Sequence, residues 1–292
     1  MGYIYADGNS IGKLLEQADS LTAYSRLSQA LEKATETAVF AALFKHLYKN
    51  SAVLPFEIIT IGGDDVLLIV PAHTALPVAR DICAGFGDNM APQANAGKLP
   101  SMSAGVAIAQ DSNPIYFVHD LSRQLLKSAK KGTQKRGGAH LDFMVLKSQS
   151  TLAARLDDVR TSAYLQIQDE AAKERCLLTA RPYALADADK LLNSIKALKD
   201  IRFSSGQLHQ MRREFQNGRF PGLFYYLYQR TRLNRTYKDY AQILSAIELE
   251  WGMVEAKDGA PPWIALSKQP SDDYQEFTTP WLDILELHEF IA

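Results

Sequence analysis

Two short segments hold the residue types best suited to chemistry. Asp7-Gly8-Asn9 and Gly62-Gly63-Asp64-Asp65 each set acidic side chains beside glycine. A Gly-Gly-Asp-Asp run alone is also ordinary hairpin composition, because Gly and Asp dominate such turns. The second acidic segment changes that reading. If the strands bearing Asp7 and Asp64-Asp65 are neighbours, three carboxylates meet at one sheet edge, and clustered carboxylates repel unless a divalent cation neutralises them. Oxygen-only ligation of this kind suits Mg²⁺ or Mn²⁺, with a bound triphosphate completing the shell. Asp7, Asp64 and Asp65 are therefore the candidate catalytic carboxylates, and with Gly8 they form the candidate metal-binding set. Successive strand side chains point to opposite faces, so the sequence does not rank Asp64 over Asp65.

The glycines supply a place for phosphate. Gly62 and Gly63 permit positive φ and close approach of a ligand to the backbone. Gly8-Asn9-Ser10-Ile11-Gly12 leads from a strand toward a helix and offers backbone N–H groups as a triphosphate cradle, with Lys13 adding charge. Further on, Lys127, Lys130, Lys131, Lys135 and Arg136 form a positive cluster, of which Lys130 is the first choice for neutralising the β- and γ-phosphates. The same cluster also suits a solvated helix end favoured by the macrodipole.

The positions of these residues depend on the elements that carry them. Hydrophobic periodicity predicts a strand over 3–6, a helix over 20–48, strands over 56–61 and 66–70, a helix over 74–86, a strand over 101–109, a helix over 114–131 and a strand over 141–146. The order β-α-β-β-α-β, then α-β, is the ferredoxin-like split arrangement of a palm domain, an antiparallel sheet with helices on one face. In that sheet the first and third strands are antiparallel neighbours, which puts Asp7 and Asp64-Asp65 at one edge. From residue 148 the pattern becomes helix upon helix, over 152–179, 187–199, 204–217, 222–228, 237–251 and 281–290. The expected fold class is α+β, with residues 1–147 a palm and residues 148–292 an α-helical domain.

Asp7-Gly8-Asn9, Gly62-Gly63-Asp64-Asp65 and Ser103-Ala104-Gly105 together resemble the palm of the large signalling subunit of type III CRISPR complexes, and more distantly that of GGDEF diguanylate cyclases. The resemblance covers about half the chain; the helical part resembles that subunit's C-terminal helical domain more weakly. It implies synthesis of a cyclic oligonucleotide from ATP or another NTP, with the aspartates matching Asp7, Asp64 and Asp65 holding the metals, in an antiviral setting. The family often has a further carboxylate where Asn9 stands. Val66 follows the aspartates where a GGDEF enzyme has Glu-Phe, which favours an adenine-based product over diguanylate. The subunit's nuclease domain, second palm and zinc module are not seen here, so a minimal single-palm form is expected. Because cyclisation pairs two nucleotides and one palm supplies one triphosphate site, a two-fold homodimer across the active-site edges is expected. The competing reading is a catalytically silent palm that binds nucleotide or RNA within an effector complex. Template-directed polymerisation is a weaker third.

Composition sets the outer limits. Hydrophobic residues make up 47% and charged residues 22%, ordinary globular usage, and the formal charge of -1 means that any anion-binding surface must arise from local clustering. Cys83 and Cys176 lack metal-ligand spacing, which argues against zinc and a disulfide framework. With neither a signal-peptide pattern nor an apolar run of membrane-spanning length, a cytoplasmic protein without membrane contact is expected. His119-Asp120 lies inside a predicted helix without a matching upstream histidine and reads as structural. Arg212, Arg213, Arg219, Arg230, Arg232 and Arg235, interleaved with Phe215, Phe220, Phe224, Tyr225, Tyr226 and Tyr228, suit RNA or a protein partner, but at helical spacing read first as core aromatics with wet arginines. Asn234-Arg235-Thr236 is a glycosylation sequon without secretory context, and Ser25 and Ser28 are candidates near the base.

Overall fold

A computed structural model describes residues 1–48, 53–93, 99–146, 155–163, 167–201, 204–236, 238–253, 261–266 and 273–291. The chain divides into two compact units, Met1–Leu156 with Arg181–Ala188, and Asp157–Ala180 with Asp189–Ile291. Residue 148, where the sequence pattern changes, lies outside the described residues.

The first unit contains β1 (Gly2–Gly8), α1 (Ile11–Leu15), α2 (Leu21–Leu47), β2 (Glu57–Gly62), β3 (Asp65–Val70), α3 (Ala75–Met90), β4 (Met102–Ile108), α4 (Ile115–Arg136) and β5 (His140–Val145). Its sheet runs β2-β3-β1-β4-β5, closed at the far edge by a short strand from residues 183–184. β1 is antiparallel to both β3 and β4. This is the split β-α-β order read from the sequence, extended by a strand parallel to β4. Ser20 takes an extended conformation and its hydroxyl accepts from Ala23 N, capping the start of α2.

Strand parity explains the layers. Gly2, Ile4, Ala6 and Gly8 point to one face of β1, where a Cβ on Gly2 would strike Ala75 of α3. The two core crossover helices, α2 and α3, cover this face together; Asn89 donates to Ala34 O between them. Ile4, Ala6, Val66, Leu68, Ala104 and Val106 are fully buried. Tyr3, Tyr5 and Asp7 point to the other face, which the appended helix α4 covers: the His119 ring lies 6.0 Å from Tyr3 and 5.9 Å from Tyr5. The α4 backbone sits directly on the sheet because Gly105 has no side chain; a Cβ there would stand 2.3 Å from Leu126 N and Ser122 O.

The second unit is mainly helical. It holds α5 (Leu156–Ala163), most of α6 (Leu185–Asp200), α7 (Ser205–Gln216), α8 (Arg219–Thr236), α9 (Lys238–Glu250) and α10 (Trp281–His288). It also contains a four-stranded sheet in the order β6-β7-β10-β9, built from β6 (Ile167–Asp169), β7 (Glu174–Leu177), β9 (Ile264–Ala265) and β10 (Gln275–Thr278), while β8 (Tyr183–Ala184) is the short strand that pairs with β5. The helix expected over 152–179 is thus corrected: only 156–163 of the described residues there is helical, and β6-β7 is a hairpin. The cause is local. Asp169 Oδ1 accepts from both Ala171 N and Ala172 N, an Asx-type turn that competes with helical bonding, and Lys173 takes φ +54°. Strands of two to four residues are too short to show period-2 alternation.

Candidate active site at the palm rim

β1 and β3 end at the same rim, and their register puts Asp7 directly opposite Asp65. Between β2 and β3, Gly62 pairs with Asp65 across a two-residue turn of Gly63 and Asp64. Gly63 occupies the first turn position with φ +61°, the backbone sign that a primed hairpin turn requires. The Asp64 carboxylate folds back against Gly8: a Cβ on Gly8 would lie 2.6 Å from Asp64 Oδ2 and 2.3 Å from Ile11 Cγ1. Glycine is needed there for that close approach.

The two facing carboxylates have different surroundings. Asp65 accepts a hydrogen bond from the Tyr5 hydroxyl, yet its Oδ1 is buried with no hydrogen-bond partner. Burial holds the Asp65 carboxyl above the usual carboxylate range, and the charge of Asp64 adds to this; the Tyr5 hydrogen bond and the nearby His119 pull the other way. Asp7 is engaged by Lys130, whose ammonium contacts Asp7 Oδ2 and donates to Gly8 O at 2.9 Å. Burial lowers the pKa of Lys130.

Arg123, Lys127, Lys130, Lys131 and Gln134 follow one another at helical spacing along α4. With Tyr5 and Asp7 they line an open cleft of about 480 Å³, inside the range of small-ligand sites. Its wall is strongly positive beside the carboxylates.

The other residues singled out in the sequence are placed as follows. Asn9 is pinned to the loop before β4, its N–H donating to Ser101 O at 2.7 Å and its amide to Ser101 Oγ at 2.9 Å. Ser10 stands before α1 with φ +59°, Ile11 is buried, and Gly12 and Lys13 are exposed. α1 is a five-residue helix, so this stretch presents a tight turn rather than a long helix N-terminus. Gly62 and Gly63 have open space around them. Ser103 is structural, with its Oγ accepting from His140 N and bonded to Thr133 Oγ1. Asp120 pairs with Arg123 and accepts from Gln124, away from any metal role. Tyr5 is the site residue that sequence reasoning missed; His119, read from the sequence as structural, lies beside it. The available signal was parity: positions 3, 5 and 7 of one strand share a face.

In the second unit the aromatics split. Phe215 and Tyr226 are core, whereas Phe220, Phe224 and Tyr228 are exposed. Arg219 is half-buried, paired with Glu174 at 2.6 Å, and Arg230 pairs with Glu248 at 3.1 Å. The side chains of residues 234–236 lie outside the described residues.

Residues 1–138 match the family model described as Cas10/Cmr2, second palm domain. The N-terminal unit is similar to a palm of the Cas10/Cmr2 type. A stretch of 100 residues is 34% identical to the CRISPR system Cmr subunit Cmr2 of Pyrococcus furiosus, covering 30% of this chain and 11% of that protein. Among solved structures, Csm1 in T. onnurineus superposes with TM-score 0.57 at 12% identity, covering 89% of this chain and 35% of Csm1. A Csm1-Csm4 cassette in complex with cA4 gives TM-score 0.56 at 11% identity, covering 99% of this chain and 36% of that chain. At these identities the superpositions establish the fold. The chain spans about a third of the length of the solved relatives and a tenth of the curated one. The match to the palm family model is confined to residues 1–138, and no described helix is long and apolar enough to cross a membrane.

The palm rim offers donors suited to a divalent cation. Its donors are hard oxygens: the Asp7 and Asp65 carboxylates and the Gly8 carbonyl. The buried, unpartnered Asp65 Oδ1 is an acceptor that a cation would satisfy. Among the described residues no three His, Cys, Asp or Glu side chains are gathered as a complete ligand set. Hard oxygen donors of this kind match the chemistry of Mg²⁺ or Mn²⁺ bound through one or two carboxylates together with substrate phosphates.

Proposed function

We propose that the palm rim is a nucleotidyltransferase centre that condenses NTPs, with ATP preferred, into a cyclic di- or oligonucleotide. The observation that carries this reading is the buried, unpartnered Asp65 Oδ1, directly opposite Asp7 and beside a cationic cleft. The cA4 bound by the solved Csm1-Csm4 relative supports an adenine-based product. Asp7, Asp65 and the Gly8 carbonyl would hold Mg²⁺ or Mn²⁺, with Asp64 against Gly8 completing the acidic rim. When bound there, the cations polarise the α-phosphate and lower the pKa of the attacking ribose hydroxyl.

The remaining work belongs to this chain. Tyr5 orients Asp65 by its hydrogen bond, and the α4 lysines neutralise the triphosphate in the cleft. Gly62 and Gly63 leave open space for phosphate at the hairpin tip. The ribose oxygen bonds to the α-phosphorus as the bond to pyrophosphate breaks, and the hydroxyl proton passes to solvent water. Two such condensations with reciprocal orientation close a ring. The cassette relatives pair Csm1 with Csm4, so a protein partner is part of this reading alongside the two-fold homodimer expected from sequence.

One observation favours a second reading, a palm that binds nucleotide without turnover: Lys130 already engages Asp7. The experiment that separates the two is incubation of the full chain with each NTP and Mn²⁺, followed by mass spectrometry. A cyclic product that disappears in the Asp64→Ala/Asp65→Ala double variant supports the enzyme. ATP binding that persists with no product from either protein, with or without partner subunits, supports the silent module.

A further inference from the structure

We infer that Lys130 is an intrinsic counter-cation, holding the Asp7–Gly8 oxygen pair before a metal does and moving from that seat onto nucleotide phosphate when the metal binds. The inference rests on the proposed metal-dependent reading of the rim and adds an order of events to it. Its starting point is a juxtaposition. The Lys130 ammonium bridges the Asp7 carboxylate and the Gly8 carbonyl, a pair of hard oxygens on successive residues at the end of β1. These are two of the donors a divalent cation would use.

Three features give that contact a purpose. Asp7 and Asp65 stand directly opposite each other in the strand register, and like charges in that relation destabilise a sheet. Asp64 lies beside them against Gly8. A cation is therefore needed to keep the rim assembled whenever no metal is bound, and Lys130 supplies one covalently attached to α4. Among the described residues it is the member of the Lys127, Lys130, Lys131 stripe that reaches a carboxylate, while all three border the same cleft.

The geometry also allows departure. Both partners are partly open, with side-chain exposures of 31% for Lys130 and 29% for Asp7. Lysine is a point charge on a flexible four-carbon stem, so its ammonium can swing along the cleft without moving the helix. A metal entering the Asp7–Gly8 seat must displace the ammonium, which lowers metal affinity in the absence of nucleotide. A triphosphate in the cleft offers the ammonium another partner and so vacates the seat. Metal and nucleotide binding are thereby coupled beyond the ligation that the phosphates themselves provide, and by linkage the coupling is reciprocal.

The test uses Mn²⁺ and the full chain, with Mn²⁺ binding followed by electron paramagnetic resonance in the absence of nucleotide. Lys130→Met is expected to tighten Mn²⁺ binding by about fivefold or more, the lower end of typical site-to-site coupling. Lys127→Met, which removes the same charge one turn earlier on α4, is expected to change it less than about twofold, as a distant screened charge does. In the wild-type chain, acylation of the Lys130 amine, read by mass spectrometry, is expected to rise when Mn²⁺ is added and fall again with Mn²⁺ and ATP. If Mn²⁺ binds in an Asp65-dependent manner but Lys130→Met is indistinguishable from Lys127→Met, or Lys130 acylation ignores Mn²⁺, the counter-cation role is overturned and the metal site stands. If neither the wild type nor Lys130→Met takes up Mn²⁺, with or without ATP, both fall.

Discussion

Each unit contains a tyrosine hydrogen-bonded to a carboxylate with a cation nearby, Glu248 buried and Asp65 half-buried, and the two nodes are finished differently. In the second unit Tyr226 donates to Glu248 Oε1 at 2.8 Å and Arg230 meets Oε2 at 3.1 Å, so both oxygens are taken. At the palm rim Tyr5 donates to Asp65, but the only described cation in contact with the acidic rim sits on Asp7, and Asp65 Oδ1 has no partner. Burial raises the pKa of both Asp65 and Glu248. A saturated node is a fold element, because every polar group it buries is compensated within the chain. An unsaturated one carries a desolvation cost that only a ligand removes.

The largest expected effect breaks the two nodes apart. Asp65→Ala should reduce Mn²⁺-supported product formation by roughly a thousandfold, about 4 kcal/mol of barrier. It should leave the denaturation midpoint of the palm unchanged or slightly raised, since an uncompensated buried group is removed. Mass-spectrometric product assay and circular dichroism on one preparation check both halves; a midpoint lowered as far as the activity would make Asp65 a structural residue like Glu248.

The converse variant comes next. Glu248→Ala leaves Arg230 and Tyr226 without their acceptor and should destabilise the second unit by about 2–3 kcal/mol, less than a fully buried pair because Arg230 is partly open. All three tryptophans, Trp251, Trp263 and Trp281, lie in that unit, so intrinsic fluorescence reads its unfolding selectively. Mn²⁺ affinity should not change.

Gly8→Ala sharpens the comparison at the rim itself. The added methyl must displace Ile11 or the Asp64 carboxylate, at a cost of about 2 kcal/mol in overpacking, and Mn²⁺ affinity should fall with it. Chemical denaturation and Mn²⁺ titration measure the two parts.

The smallest effect concerns a saturated, half-buried carboxylate. Burial pushes Asp81 upward, but hydrogen bonds from Lys45, His46 and Arg80 outweigh it and hold the carboxyl below its usual value. A depressed carboxylate pKa stabilises the fold above the unfolded-state value and loses that contribution as pH falls through the folded-state value. Asp81→Asn should therefore cost about 1 kcal/mol or less at neutral pH. The gap to wild type should close as the pH drops below ~4. Thermal melts over an acid pH series check the sign; a gap that widens toward acid would contradict it.

How far the site was legible follows from the range of each interaction. The acidic rim was readable because strand parity and a split β-α-β order are local and topological rules: Asp7 and the Asp64-Asp65 pair come out at one edge once the strands are assigned, while the register that sets Asp65 opposite Asp7 came from the structure. The stripe on α4 was readable because 3.6 residues per turn sets Lys127, Lys130 and Lys131 along one side. Tyr5 escaped because tyrosine in a strand reads as sheet packing, although it shares parity with Asp7. The β6-β7 hairpin escaped because an Asx turn at Asp169 and a left-handed Lys173 leave little mark on hydrophobic periodicity.

The amino-acid sequence by itself determined which residues carry charge, which strands bear them and which end of the sheet they share, since these depend on side-chain alternation and element order. The tertiary structure decided which acid receives the lysine and which keeps an empty lone pair. That choice depends on the height and rotation of α4 over the sheet, set by the bare Gly105 beneath Ser122 and Leu126, a contact between segments far apart in the chain that no local pattern encodes.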